Sequence, residues 1–247
     1  MNRVVLLLLS VSSISFALGC DGGGAREASA HGSRSSGGEA RMRHARREMG
    51  LRDPNRDQDE DEDSDELEFE LGGERLPRMP HEVDPEGENL KEGLALAALT
   101  LEMSRPEPEP DLDRPGYQTF VEEDYARWVS SRAEALGRAR AAFARAEQGE
   151  AGEYAVASAV IGLLFARFGE AIARMPIPMA IAEASADRLR FRDAYVRAAR
   201  PLFERAADAF GACASASARS RDSTLGRWQR FCDEQLERLE DAPRPME

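Results

Sequence analysis

Histidine, lysine, cysteine and aromatic residues are all scarce in this chain of 247 residues, and each scarcity excludes something. The 3 His are His31, His44 and His81, and Lys91 is the one lysine, so the stretch from residue 116 onward holds neither type. A Ser-His-Asp or Cys-His arrangement is therefore impossible there, and a zinc site would lack its commonest nitrogen ligand. The 3 Cys form no Cys-x-x-Cys pair, which argues against a thiol redox centre. No strand-like run stands out, so no glycine-rich loop has the strand-to-helix setting that phosphate binding requires. No cofactor is implied.

Alanine stands in for the missing aromatics, which make up 6% of the residues: 30 alanines lie between Tyr117 and the C-terminus. Alanine has the highest helix propensity, and its small side chain lets helices approach closely. An all-α fold is expected. The near-total use of Arg over Lys reads as a coding bias of a GC-rich genome rather than as function.

The net charge of −13 is unevenly placed. Residues 53–75 hold 12 acids against 2 Arg, whereas residues 116–247 hold 20 acids against 19 bases. The acidity belongs to the N-terminal third, and a polyanionic segment argues against a nucleic-acid partner.

Met1-Asn2-Arg3 forms a short positive start, followed by a mostly apolar run from Val4 to Leu18. That run is too short and too interrupted by serine for a stable transmembrane helix. It closes in Phe16-Ala17-Leu18-Gly19-Cys20, which resembles the lipobox of bacterial lipoprotein precursors, with Ala17 where Leu is commonest. The resemblance covers the first twenty residues. It implies cleavage between Gly19 and Cys20, and lipidation of Cys20 with diacylglycerol and a further acyl chain such as palmitate. Two or three acyl chains anchor stably where one is marginal. Asp21 resembles an inner-membrane retention signal of enterobacteria.

Residues 1–19 are accordingly expected to be a signal peptide, and residues 20–87 a disordered tether. Asp21-Gly22-Gly23-Gly24 and Ser33 to Gly38 have flexible-linker composition, and Asp57 to Glu70 places ten acids in fourteen residues. Such a segment buries too little apolar surface to offset its ordering entropy, and its ends would lie on the order of 40–50 Å apart. Within it Asp59, Asp61, Asp63 and Glu70 have the spacing of calcium-loop positions 1, 3, 5 and 12. Ser64 stands where glycine makes the sharp turn and Glu66 where an apolar residue docks, so non-specific cation binding is the plainer expectation.

The helical domain is expected over residues 88–241, with a tail over 242–247. Leu90, Leu94, Ala97, Ala98 and Leu101 mark a first helix over 86–103, stopped by Pro106-Glu107-Pro108-Glu109-Pro110. Val121, Tyr125, Trp128, Val129, Leu136 and Phe143 mark a second over 119–148. The third, over 153–174, is apolar around most of its circumference and is expected at the centre of the domain. A fourth spans 180–200. Pro201 either kinks the chain or begins a fifth to residue 218, and a sixth covers 224–240. These elements make an antiparallel helical bundle, or a short αα-hairpin array, of about 5–6 helices. Gly152, Phe168, Ala171 and Pro176 are weakly similar to tetratricopeptide hairpins. Gln148 and Leu164 depart from that motif, and no second copy recurs at its repeat length.

Cys213 and Cys232 flank the 219–223 turn almost symmetrically, which in an oxidising compartment favours a disulfide stapling the last hairpin. Glu183 and Asp187 are one helical turn apart, a carboxylate pair of the kind acid–base chemistry requires. Arg188, Arg190, Arg192 and Arg197 interleave with acids, which reads more simply as a solvated, salt-bridged face. The leading expectation is a lipid-anchored envelope protein whose non-enzymatic domain binds a protein partner, in the periplasm or at the cell surface. One alternative is an envelope enzyme using paired carboxylates. Another is a cation-responsive acidic tether.

Overall fold

The computed structural model describes residues 69–182, 185–220 and 223–242. They form a short β-hairpin followed by helices: β1 (Phe69–Leu71), β2 (Glu74–Leu76), α1 (Lys91–Glu102), α2 (Arg114–Phe120), α3 (Ala126–Ala142), α4 (Ala151–Ala173), α5 (Met179–Ala182), α6 (Ser185–Ala218) and α7 (Ser223–Glu240). A π-helical turn, Val121–Tyr125, joins α2 to α3, and a 3-10 turn, Ala146–Gln148, precedes α4. The expected all-α architecture is present, with one small strand pair added.

The packing centres on α4. From Ala155 to Ala166 each of its residues is buried, so alanine, glycine and branched residues face neighbours all the way round. The helix is long and apolar enough to cross a membrane, yet 83% of its most apolar window is covered by the rest of the fold. Cβ atoms built on Gly162 and Gly169 would meet the rings of Phe210 and Phe203 respectively, both at 2.8 Å. The inverse order of these contacts makes α4 and α6 antiparallel. The α1–α3 pair follows the same logic, with Gly93 against Phe143 and the Met103 carbonyl beside Arg132.

Pro201 neither ends nor begins a helix: α6 runs through it for 34 residues. Tyr195, Ala199, Phe203, Ala206, Phe210 and Cys213 form one unbroken buried stripe across the proline. Burying that stripe on α4 and α7 offsets the roughly 3 kcal/mol that a proline costs inside a helix. The expected fourth and fifth helices are thus one. The expected second helix is, conversely, divided. It starts earlier, at Arg114, where the Asp113 carboxylate accepts from the Gly116 amide at 2.8 Å and caps the end. It then passes through the π turn and stops at Ala142.

The largest correction concerns the far end of the expected tether. Residues 69–87 belong to the folded body. Gly72 and Gly73 take positive φ (56° and 81°), which a two-residue hairpin turn demands, and a Cβ on Gly72 would lie 2.7 Å from that of Leu101. The turn places Phe69 opposite Leu76 and Glu70 opposite Arg75. Leu71, Leu76 and Val83 join the main core, the Arg78 carbonyl accepts from the Trp228 indole N–H at 2.9 Å, and Val83 packs over Gly152. The composition of 53–75 concealed this, because a few apolar residues at its edge suffice once α1, α4 and α7 supply a surface.

Candidate functional site

The sequence-derived sites are divided between the two parts of the chain. Gly19, Cys20, Asp59, Asp61 and Asp63 lie outside the described residues, as does Glu183. Glu70, the last member of the calcium-like pattern, is an exposed residue of β1 facing Arg75 across the hairpin. Its place in a strand is incompatible with the helical flank of a calcium loop. Among the described residues no group of three or more His, Cys, Asp or Glu side chains has the grouping a metal ion needs.

Cys213 and Cys232 are joined, with Cα atoms 6.3 Å apart, linking α6, which ends at Ala218 five residues after Cys213, to α7, which begins at Ser223 nine residues before Cys232. Both are fully buried. The arginine-rich stretch of α6 is paired with acids in part. Arg197 bonds Asp193, Arg200 meets Glu204 at 2.9 Å, and Arg192 donates to the Ala173 carbonyl at the end of α4.

What the sequence did not point to is a groove between the proline-rich connector and the α2–π–α3 segment. Its volume is about 970 Å³ and it is open to solvent. The connector from Met103 to Glu109, closed by a turn at 110–111, forms one wall, and Gly116, Phe120, Trp128 and Ser131 belong to the other. The connector is extended because alternating prolines exclude helix. Arg105 pins it: Nη1 donates to the carbonyls of Ala171 and Arg174, at 3.1 and 2.9 Å, and so caps the C-terminus of α4. Tyr117, Phe120, Val121, Tyr125 and Trp128, at helical spacing, all face inward across the π turn.

Behind the groove lies an aromatic cluster. Tyr125 stacks on Trp128 (5.6 Å between centroids), and Trp128 meets Phe168 edge-on at 5.6 Å. Tyr117 packs edge-on against Phe191, and its hydroxyl donates to the Pro176 carbonyl at 3.0 Å. Burial pushes the Tyr117 phenol up to about 12, against smaller opposing effects from the Tyr195 hydrogen bond and from Arg105 and Arg192. Burial likewise raises Tyr125 and Tyr195, and the neighbouring tyrosines add to it. Arg132 lies over Trp128 and Phe168 at 5.5 and 5.7 Å and donates to the Met103 carbonyl at 2.7 Å. It is 5% exposed, has no ion-pair partner among the described residues, and burial lowers its pKa.

Six buried side-chain polar atoms of the described residues lack a hydrogen-bond partner. One of them, Arg167 Nε, is nonetheless in ion-pair contact with Glu74 at 2.6 Å. Two belong to residues that line the groove, Arg105 Nε and Trp128 Nε1, and two to residues packed against Trp128, Tyr125 OH and Arg132 Nε. All four are enclosed donors, whereas the groove's own lining carries the carboxylates of Glu107, Glu109 and Asp124 as acceptors. Compared with known proteins, the chain matches no family model, no curated protein and no solved structure.

Proposed function

We propose that the chain is a bacterial lipoprotein, held on a membrane of the cell envelope through lipidated Cys20, and that its helical domain binds a protein partner there. The Cys213–Cys232 disulfide is the observation that carries the address. Disulfides persist in oxidising compartments, so a bond at the C-terminal hairpin independently supports the export that Gly19 and Cys20 suggest at the other end of the chain. The open groove supports the binding role. It offers aromatic and guanidinium surface along an extended wall, a geometry suited to a polypeptide segment. No nucleic-acid partner is proposed, since the net charge of −13 would repel phosphates.

Membrane fractionation with mass spectrometry of the mature N-terminus tests the anchor. The expected result is an acylated Cys20 in the membrane fraction, and a Cys20→Ala chain that lacks the acyl mass and leaves that fraction. An unmodified N-terminus, or a Cys20→Ala chain that stays membrane-bound, would overturn the lipoprotein reading.

A further inference from the structure

The groove has an acidic rim and an apolar floor, and the combination selects an occupant. We infer that it takes a basic segment of a partner polypeptide, with an apolar side chain on the floor and flanking arginines or lysines on the rim. This deepens the partner-binding reading and rests on it.

Charge is the first argument. Residues 102–127 supply every lining residue of the groove except Trp128 and Ser131, and they hold 8 acids against 3 Arg. Residues 128–247 hold 17 acids against 18 Arg, so the excess belongs to this segment and not to the helices that follow it. The two arginines of the lining leave it uncancelled. Arg105 commits its Nη1 to the carbonyls at the end of α4, and Arg127 is matched with Asp124 at 3.3 Å. Glu107 lies 3.7 Å from Arg105 with its side chain 76% exposed. Glu109 is exposed too and has no cation partner among the described residues. Two carboxylates of the connector are therefore open to an incoming cation, and the local field disfavours an anionic ligand.

Hydrogen-bonding capacity is the second. Pro106, Pro108 and Pro110 each contribute a carbonyl and no N–H, and among the described residues no backbone N–H bonds the carbonyls of residues 104–108. The connector carries more acceptors than donors. Guanidinium and ammonium groups, which only donate, are its complement.

The floor supplies the third. Exposed ion pairs contribute at most about 1 kcal/mol each, so the rim sets selectivity while apolar contact provides affinity. Met103, Pro106, Leu112, Phe120 and Trp128 all line the groove. Its volume, about 970 Å³, exceeds one side chain, and it is open to solvent, so it has room for consecutive residues of a chain passing along the connector.

The test uses the purified full-length chain and a short peptide in which leucines alternate with arginines, labelled with an uncharged dye. One control peptide has glutamate for arginine, and a second has serine for leucine. Fluorescence anisotropy is expected to show saturable binding of the first peptide, weakened by salt, and at least about tenfold weaker binding of either control. The acids of residues 57–70 also attract cations, so variants that leave them intact decide where the peptide sits. Glu107→Gln with Glu109→Gln is expected to weaken binding about three- to tenfold, and Ser131→Arg, at an exposed position of the lining, to abolish it. Binding that survives both variants, or that the serine control matches, would overturn the proposal. Equal binding of the glutamate control, abolished by Ser131→Arg, would overturn the basic chemistry and leave partner binding at the groove standing. No binding of any peptide would overturn both, and the anchoring reading, which concerns Cys20, would be untouched.

Discussion

The hydroxyls of Tyr117 and Tyr195, 78 residues apart in sequence, lie 2.7 Å from each other inside the core. Tyr117 gives its proton to the Pro176 carbonyl, so Tyr195 is the donor between them. The pair ties the start of α2 to the middle of α6 beside the groove.

This order of donation makes the two phenylalanine substitutions unequal. Tyr195→Phe removes one donor and leaves Pro176 satisfied, at a cost of about 1 kcal/mol. Tyr117→Phe strands both the Pro176 carbonyl and the Tyr195 hydroxyl, at about 2–3 kcal/mol. Urea unfolding of the two variants measures the difference, and equal costs would refute the assignment of donors.

Alkali should unfold the protein through the same cluster. Tyr117, Tyr125 and Tyr195 all have phenols raised above the ordinary value of 10.0, Tyr117 to about 12. The unfolded chain loses these protons first, so their contribution is complete below pH 10 and is lost as pH rises toward 12 and beyond. Each group weakens stability by up to about 1.4 kcal/mol per pH unit in that window. Absorbance at 295 nm and circular dichroism, followed together, should show phenolate appearing with loss of structure rather than before it.

Gly162→Ala separates packing from helix propensity. Alanine favours an exposed helix by about 1 kcal/mol over glycine. Here its Cβ would lie 2.8 Å from the Phe210 ring, so we expect a net loss of about 1–3 kcal/mol. Stabilisation by the substitution would mean that α4 and α6 are less closely packed than described.

The hairpin is expected to be indispensable. A chain beginning at Phe69 should unfold as cooperatively as the full chain, whereas one beginning at Glu88 should lose its sharp thermal transition. Leu76→Ala, at a position 2% exposed, should cost about 2–5 kcal/mol. Glu74→Gln weakens the half-exposed pair with Arg167 on α4 and should cost at most about 1 kcal/mol. A Glu88 start that melts normally would return residues 69–87 to the tether.

Residues with strong local signals announced their structure. The apolar circumference of α4 and the Leu225, Trp228, Cys232, Leu236 stripe of α7 are periodic over several turns, and Cys213 and Cys232 lie on either side of one short turn. Leu71-Gly72-Gly73-Glu74 carried a hairpin signal too, with apolar residues on both sides of a Gly-Gly pair. It was masked by the ten acids of 57–70, because average composition outweighs three-residue strands that have no periodicity of their own.

Sequence by itself therefore determined the helical class, the central helix, the closing hairpin and the lipobox-like start, since propensity, periodicity and motif spacing act over neighbouring residues. Tertiary structure alone decided the rest. It carried α6 through Pro201 by burying a stripe on both sides, and drew the hairpin onto a surface assembled from α1, α4 and α7. It also brought Arg105, Tyr125, Trp128 and Arg132 together with donors unmet. These outcomes depend on which surfaces meet across long separations, and no local pattern encodes that.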